Sequence, residues 1–197
     1  MQNGFFALIA RMRHIQRWGL MRNSFAEDVQ GHSHLTAVIA HTLAVTRNNV
    51  FGGSIDANAC AAAGLYHDAP EIITGDLPTP IKYHNSELTS AYKQVEELAA
   101  AKLLEMLPEQ LRGAYAPLLN GGEGEVQQLV KAADKLSAYI KCVEERLAGN
   151  SEFRSAEAQT RMALEAIELP EVAYFLEHFM PAFGATLDEL TENQFNV

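Results

Sequence analysis

The sequence has little cysteine. Cys60 and Cys142 lie far apart, and neither belongs to a CxxC pair or to a Cys/His cluster of zinc-finger spacing. Structural zinc sites need such closely spaced ligands. We therefore expect two reduced, buried thiols that take no part in chemistry.

Long apolar runs are also missing. The chain contains no stretch of about 18 consecutive apolar residues, the length that a membrane span requires. Its N-terminal apolar stretch, residues 5–10, is short, follows no basic residue and runs directly into Arg11, Arg13 and His14. This pattern differs from that of a signal peptide. We expect no membrane partner and a cytoplasmic protein.

The sequence has few basic residues: it contains 15 Lys and Arg against 25 Asp and Glu, which gives a formal net charge of −10. Tight, sequence-independent binding to a nucleic-acid polymer requires clustered Lys and Arg, so the composition argues against that class of partner. A small anionic ligand remains compatible with this charge where a metal ion and a few local cations lie at the site.

Alternating strand patterns and internal repeats are absent, whereas apolar residues recur at helical spacing. The length of 197 residues, 48% of them hydrophobic, fits one domain with a sizeable core. We predict an all-α fold, a single compact multi-helix bundle over residues 1–197. Helices are expected after an Asn3 cap, from about His32 to 51, and over 57–67, 86–107, 125–148, 156–167 and 171–180, with a short one from Glu71. The prolines at 78 and 80 prevent residues 75–80 from being helical throughout.

Four residues from three predicted helices form a candidate metal site. His32 lies near the start of one helix, His67 and Asp68 end an Ala-rich helix, and Asp134 lies in the middle of a later one. Imidazole nitrogens and carboxylate oxygens together suit a borderline divalent cation such as Mn²⁺, Co²⁺ or Zn²⁺. The His-Asp dipeptide alone is a weak signal, since a lone buried histidine is more often part of the core.

The order of these residues resembles the HD superfamily of metal-dependent phosphohydrolases. The motif reads here as GHS at 31–33, YHD at 66–68 and KAADK at 131–135. The strings RWGLMR at 17–22, YHDAPE at 66–71 and TGDLPTPIKY at 74–83 sharpen the resemblance to the bacterial 5′-deoxynucleotidases within it. The chain departs from the family at Gly31, because the family typically has a Glu just before the first ligand histidine, so this chain lacks whatever that Glu contributes to the site.

The resemblance implies an HD-domain bundle that hydrolyses deoxyribonucleoside 5′-monophosphates to deoxyribonucleosides and phosphate. It further implies a homodimer and a Co²⁺ or Mn²⁺ ion, with Zn²⁺ as the alternative. The implied ligands are His32, His67, Asp68 and Asp134. HD enzymes with two or three metals need extra histidines between the His-Asp pair and the last Asp. Since this interval contains only His84, one metal ion is favoured.

Glu71 is the predicted acid–base residue. It lies three residues after Asp68 and four after His67, so a helix that continues or restarts there places it on the same side. We expect it to orient or deprotonate the attacking water, or to handle the leaving-group proton. Asp68 is expected to take part in catalysis too. The alternative is a first-turn glutamate that interacts only with the helix dipole.

Arg17 and Trp18 are predicted to bind the substrate. The guanidinium of Arg17 offers a planar fork for phosphate oxygens, which gives it a catalytic role as well, and Trp18 offers a flat face for a sugar or base. The resemblance implies that this tryptophan disfavours a 2′-hydroxyl. A surface arginine beside a core tryptophan is the competing interpretation.

The loop at 75–80 is the predicted sugar pocket. Asp76 is expected to accept a hydrogen bond from the 3′-hydroxyl, although a Gly-Asp pair before Leu-Pro also fits ordinary turn chemistry. The two prolines restrict the loop and favour a preorganised pocket. Its wall is predicted to consist of Leu77, Pro78 and Thr79. Further substrate contacts are expected from His32 and Asp68.

Two other functions remain open at this stage. One is a different HD chemistry, namely a cyclic-nucleotide phosphodiesterase, a deoxynucleotide triphosphohydrolase or a guanosine-tetraphosphate hydrolase. The other is a helical scaffold without catalysis, which would not need Glu71 beside a full ligand set.

Overall fold

The computed structural model describes residues 3–82 and 84–191. Within these two ranges the chain forms α-helices, loops and short 3₁₀ turns; there is no strand, and an isolated bridge joins Gln16 to Asp28. The helices are α1 (Phe5–Ile9), α2 (Val29–Phe51), α3 (Ala57–Tyr66), α4 (Glu71–Thr74), α5 (Thr79–Lys82), α6 (Ser86–Glu105), α7 (Glu109–Leu119), α8 (Gly124–Leu147), α9 (Arg154–Glu165), α10 (Pro170–His178) and α11 (Leu187–Thr191). The predicted all-α fold is confirmed. None of the helices described is both long and apolar enough to cross a bilayer.

Side-chain caps decide where the helices of the site begin. Asp56 accepts hydrogen bonds from two backbone N–H groups of the first turn of α3. Asp28 caps α2 in the same way through the N–H of Gly31, so α2 begins at Val29 and the predicted start at about His32 is wrong. The predicted cap at Asn3 is also wrong, because Gly4 precedes α1 and makes no side-chain cap.

The main core lies between α2, α3 and α8. Gly64 of α3 packs so closely on α2 that a Cβ atom there would lie 2.7 Å from the Cα of Ala37. The close approach of α2 and α3 brings His32, near the start of α2, close to His67, which directly follows α3. Their ring centroids lie 5.4 Å apart. A side chain at Gly64 would therefore separate the two predicted metal ligands.

A second apolar cluster joins α1, α6 and α7 through buried residues such as Phe5, Leu103 and Leu119. Helix α7 was not predicted. Pro108 precedes it and Pro117 lies inside it near its end, where the missing N–H removes one late hydrogen bond without preventing the earlier turns.

The two cysteines are free and buried, as predicted, and burial raises the pKa of Cys60 to about 11 and that of Cys142 to about 12. Both thiols therefore stay protonated and unreactive at neutral pH.

A buried ion pair on α8 anchors the segment that precedes α2. Glu145, which is fully buried, accepts hydrogen bonds from Lys141, from the backbone N–H of Ser24 at 2.9 Å and from Asn150 at 2.8 Å. Lys141 also donates to the carbonyl of Phe25 at 2.6 Å. These bonds tie residues 24–25, and with them the loop that carries Arg17 and Trp18, to the helix of Asp134.

Glu145→Gln is expected to lower the free energy of unfolding by about 3 kcal/mol at pH 7, because it leaves a buried Lys141 charge without its partner. Burial tends to raise the pKa of Glu145, but the hydrogen bonds from Lys141, Asn150 and Ser24 outweigh it and lower the pKa to about 2. Since the folded pKa lies below the ordinary 4.5, this stabilisation is complete above about pH 4.5 and is lost as the pH falls toward 2.

Urea unfolding of wild type and variant between pH 7 and pH 3 measures this difference. Glu165→Gln is the control, because Glu165 forms an exposed pair with Arg161 on α9 and its loss should change stability by less than about 1 kcal/mol. A difference for Glu145→Gln that does not shrink below pH 4.5 would contradict the assigned ion pair.

Candidate metal and nucleotide site

The four predicted metal ligands lie together. One ligand atom from each of His32, His67 and Asp68 falls within 4.8 Å of the other two. Asp134 Oδ1 lies 3.0 Å from His32 Nε2 and 4.0 Å from His67 Nε2. Three helices thus supply the cluster: the beginning of α2, the residues that follow α3 and the middle of α8.

The two imidazoles are each held through the Nδ1 atom. His67 Nδ1 lies 2.8 Å from the carbonyl oxygen of Gly64, so it donates and leaves the lone pair on Nε2. His32 Nδ1 lies 3.1 Å from the hydroxyl of Ser137, a residue that the sequence did not suggest. A histidine that binds a metal commonly donates its other N–H to a carbonyl or a water.

The His67 Nε2 atom shows that the donor set fits a cation. It is buried and has no hydrogen-bond partner in the described part of the chain, and it lies 3.2 Å from Asp68 Oδ2. Two lone-pair atoms at this distance repel each other unless a proton or a cation lies between them. Two imidazoles and two carboxylates suit one divalent ion of the Mn²⁺, Co²⁺ or Zn²⁺ type.

The electrostatics of the cluster are those of a cation site. Burial tends to raise the pKa of Asp68, but the nearby His67, His32 and Arg17 hold it well below its usual range. The pKa of Asp134 is also lowered, since the hydrogen bond and charge of His32 outweigh burial. For His67, burial lowers the pKa, yet Asp68 and Asp134 outweigh it and raise the value to about 9. The two carboxylates therefore remain ionised and attract positive charge.

Arg17 and Trp18 lie on the loop beside this cluster. Arg17 Nη1 donates to Asp68 Oδ2 at 3.3 Å, which places its guanidinium next to the metal ligands. Trp18 packs on Phe153 with ring centroids 5.3 Å apart. Its backbone has a φ of +57°, a left-handed conformation that typically costs a residue with a side chain about 1–3 kcal/mol. Strain of this kind persists where the surroundings fix a side chain.

Glu27 connects both residues and was missed in the sequence. Its Oε2 accepts a hydrogen bond from Trp18 Nε1 at 2.6 Å and lies 3.4 Å from Arg17 Nε. Its Oε1 lies 3.9 Å from His32 Nδ1. In the sequence, Glu27 looks like an acidic residue just before a helix, and nothing in its spacing links it to residues 17 and 18.

Glu71 is buried beside the ligands. Its side chain belongs to the first turn of α4, the residue is 6% exposed, and its Oε2 has no hydrogen-bond partner in the residues described. Burial raises the pKa of Glu71, and the nearby Asp68 and Asp76 raise it further. A polar atom with these properties is available to a water or a substrate.

The predicted sugar loop follows α4. Gly75 has φ +73° and ψ 164°, a conformation that requires glycine, and its carbonyl accepts hydrogen bonds from Thr74 Oγ1 at 3.0 Å and from Tyr92 Oη of α6 at 3.3 Å. Asp76, whose pKa burial raises, and the neighbouring Leu77 and Pro78 are all partly buried. Thr79 starts helix α5, but its side chain lies outside the part that the structure describes.

Comparison with known proteins places this site in a family. Residues 4–183 match the family described as 5′-deoxynucleotidase YfbR-like. The chain belongs to the YfbR-like family. Proteins named 5′-deoxynucleotidase YfbR from Shigella boydii serotype 18 and from Escherichia coli K12 are 46% identical to it over 194 residues, 98% of each chain. The resemblance inferred from the sequence is thereby confirmed.

Solved structures show the same fold as this YfbR-like chain. An HD-domain phosphohydrolase from Listeria innocua has a TM-score of 0.77 at 22% identity, covering 93% of this chain and 89% of its own. The HD phosphohydrolase DatZ of cyanophage S-2L, solved with dA and one catalytic Zn²⁺ ion, has a TM-score of 0.62 at 20% identity and covers 91% of this chain and 96% of its own. The predicted HD bundle is therefore confirmed.

Proposed function

We propose that this protein is a metal-dependent 5′-deoxynucleotidase, which hydrolyses deoxyribonucleoside 5′-monophosphates to deoxyribonucleosides and phosphate. The observation that carries the proposal is the convergence of His32, His67, Asp68 and Asp134, in a chain 46% identical over nearly its whole length to proteins named for this activity. The resident metal is proposed to be Co²⁺ or Mn²⁺. Zn²⁺ is the alternative, since DatZ holds that ion.

A cation at these four residues supplies positive charge for the phosphoryl oxygens and lowers the pKa of a water toward about 7. Asp68 and Asp134 provide the negative charge that holds the ion, and Asp68 also accepts a hydrogen bond from Arg17. Arg17 is thus positioned to donate to a phosphate oxygen and to stabilise charge on the phosphoryl group as the ester bond breaks.

Glu71 is proposed to move the proton. Its Oε2, which has no hydrogen-bond partner among the residues that the structure describes, can orient or deprotonate the attacking water, or hand a proton to the 5′-oxygen that leaves. A glutamate that served only the helix dipole of α4 would sit in solvent, where water satisfies its oxygens. The burial of Glu71 therefore favours the catalytic role over the dipole role.

The sugar is proposed to lie between Trp18 and the loop at Asp76. Asp76 accepts from the 3′-hydroxyl, the partly buried Leu77 and Pro78 line the wall together with Thr79, and His32 and Asp68 add contacts near the phosphate. The indole of Trp18 occupies the space that a 2′-hydroxyl would need. Selectivity for deoxyribose then arises from a rigid apolar face that offers the extra hydroxyl no partner.

Phosphate release from paired deoxyribo- and ribonucleoside monophosphates tests this function. The protein stripped of metal is expected to release no phosphate, and Mn²⁺ or Co²⁺ to restore activity with a preference for the deoxy substrate. Trp18→Ala is expected to reduce that preference by about 10-fold or more. Release of pyrophosphate from triphosphates, or hydrolysis of cyclic nucleotides at a higher rate, would instead support another HD chemistry. No activity with any of these metals would support a scaffold.

A homodimer in the cytoplasm, with one domain over residues 1–197, completes the proposal. The C-terminal part of the described chain carries apolar residues that a partner subunit could cover, including Phe179 after α10, which is 41% exposed, and Leu187 of α11, which is 74% exposed.

A further inference from the structure

A carboxylate that the proposed reaction does not use joins the two substrate-binding residues of the loop. Glu27 contacts the Arg17 and Trp18 side chains through one oxygen, Oε2, at 3.4 and 2.6 Å. Its backbone carbonyl also accepts a hydrogen bond from the N–H of Arg17 at 2.9 Å. The side chain is only 13% exposed, so these contacts are made away from bulk water.

We propose that Glu27 is a positioning residue, which fixes the guanidinium of Arg17 and the indole of Trp18 relative to each other. The phosphate contact and the sugar contact are then set by one carboxylate. This inference rests on the proposed function for its substrate, but the contacts themselves do not depend on it.

Trp18 needs such a partner. An indole nitrogen can only donate a hydrogen bond, and Glu27 Oε2 is the acceptor that the described structure provides for it. The strained backbone is held separately, because Asn23 Nδ2 donates to the Trp18 carbonyl at 3.2 Å. Loss of the Glu27 carboxylate would leave the main chain in place and release the ring to turn about its side-chain bonds.

Arg17 lies between two carboxylates. Its Nη1 donates to Asp68, a predicted metal ligand, while its Nε faces Glu27 without an aligned hydrogen bond. Attraction from two sides fixes the plane of the guanidinium. With Glu27 neutral, the attraction of Asp68 acts alone and draws Arg17 toward the metal ligands, away from the place where it meets phosphate.

Direct binding of the substrate phosphate is a poor role for Glu27, because a carboxylate repels it. Glu27 therefore acts through its neighbours, of which Trp18 and Arg17 lie closest, at 2.6 and 3.4 Å, whereas His32 Nδ1 lies 3.9 Å away. The two contacts also differ chemically: an amide oxygen can still accept from Trp18, whereas only a carboxylate attracts Arg17. Substitution by glutamine and by alanine consequently separates the two contributions.

The experiment compares Glu27→Gln and Glu27→Ala in the full-length protein loaded with Mn²⁺. We expect Glu27→Ala to lower kcat/KM by about 10–100-fold and to reduce the preference for deoxyribose by about 10-fold. We expect Glu27→Gln to keep that preference and to raise KM by about 10-fold through Arg17. The variant Glu27→Ala/Trp18→Ala should be no less selective than Trp18→Ala, because the two residues act as one unit.

Fluorescence gives a second measurement that does not depend on activity. Trp18 is the sole tryptophan of the sequence, so tryptophan emission from the metal-free protein reports the surroundings of this indole alone, which include Glu27 and Phe153. Glu27→Ala is expected to shift the emission to longer wavelength and to increase quenching by acrylamide, and Glu27→Gln to leave both near wild type. Glu152→Gln is the control, since Glu152 pairs with the exposed Arg22 of the same loop, and within the described residues no hydrogen bond or ion pair joins it to Arg17 or Trp18.

Unchanged emission and unchanged sugar preference in Glu27→Ala would overturn the proposal, as would a Glu27→Gln variant that loses the preference fully. If the alanine variant does not fold, an unchanged KM in Glu27→Gln would overturn it equally. Wild-type protein that hydrolyses no nucleoside monophosphate would disprove the proposed function, while the fluorescence comparison would still test the contact between Glu27 and Trp18.

Discussion

Asp134→Ala is expected to weaken the binding of Mn²⁺ or Co²⁺ by more than about 100-fold, the upper range for loss of an outer hydrogen-bond partner of a metal ligand. The physical reason is the position of its carboxylate, with Oδ1 3.0 Å from His32 Nε2 and 4.0 Å from His67 Nε2. Removal takes away one ligand and one negative charge. Isothermal titration of the metal-free protein measures the affinity, and phosphate release at micromolar metal is expected to disappear.

The position of Asp134 separates it from an ordinary solvated helix residue. Lys131 and Lys135 flank it in the sequence and its side chain is 39% exposed, but its Oδ1 atom lies 3.0 Å from Nε2 of the buried His32, and the neighbouring Ala132 and Ala133 are buried. Glu123→Gln is the matched control, because Glu123 precedes the same helix, is exposed and makes no capping hydrogen bond. Equal metal affinity in Asp134→Ala and Glu123→Gln would show that the cation is held by other residues.

The site was more predictable than the elements that carry it. The proposed metal ligands and Glu71 could be named because their sequence strings resemble those of the HD phosphohydrolases, and the four proposed ligands do lie together. Helices with strong local signals, such as α3 after Asp56 and α4 after Pro70, were also predicted at nearly the right residues. Their boundaries depend on caps and prolines, which act within one turn.

What the sequence could not provide were features set by distant contacts. Helix α7 has Pro108 before it and Pro117 within it, and it forms because its apolar residues pack on α1 and α6. Glu27 comes close to Arg17 only in the folded chain, where the antiparallel bridge between Gln16 and Asp28 brings the two segments side by side. Gly64 likewise matters through the backbone of α2, which no local pattern reveals.

Glu71→Gln is expected to lower kcat by about 10²–10⁴-fold, the usual contribution of an acid–base residue, without loss of metal binding. Glutamine keeps the shape of the side chain but can neither take up nor release the proton. Steady-state kinetics with a deoxyribonucleoside monophosphate, together with calorimetric titration of metal, measures both effects. Glu87→Gln is the control, because Glu87 occupies the first turn of α6 in an exposed position and has the dipole role alone.

Stability should respond to Glu71→Gln in the opposite direction from activity. Burial, followed by the charges of Asp68 and Asp76, raises the pKa of Glu71 in the folded protein. The folded state therefore loses stability relative to the unfolded chain once the pH exceeds the ordinary pKa of a glutamate. Replacing Glu71 with a neutral amide removes that loss, and the metal-free variant should melt at the same or a higher temperature than wild type at pH 8. Such an exchange of stability for activity is common at active sites. A variant that is both active and less stable would identify Glu71 as a structural residue.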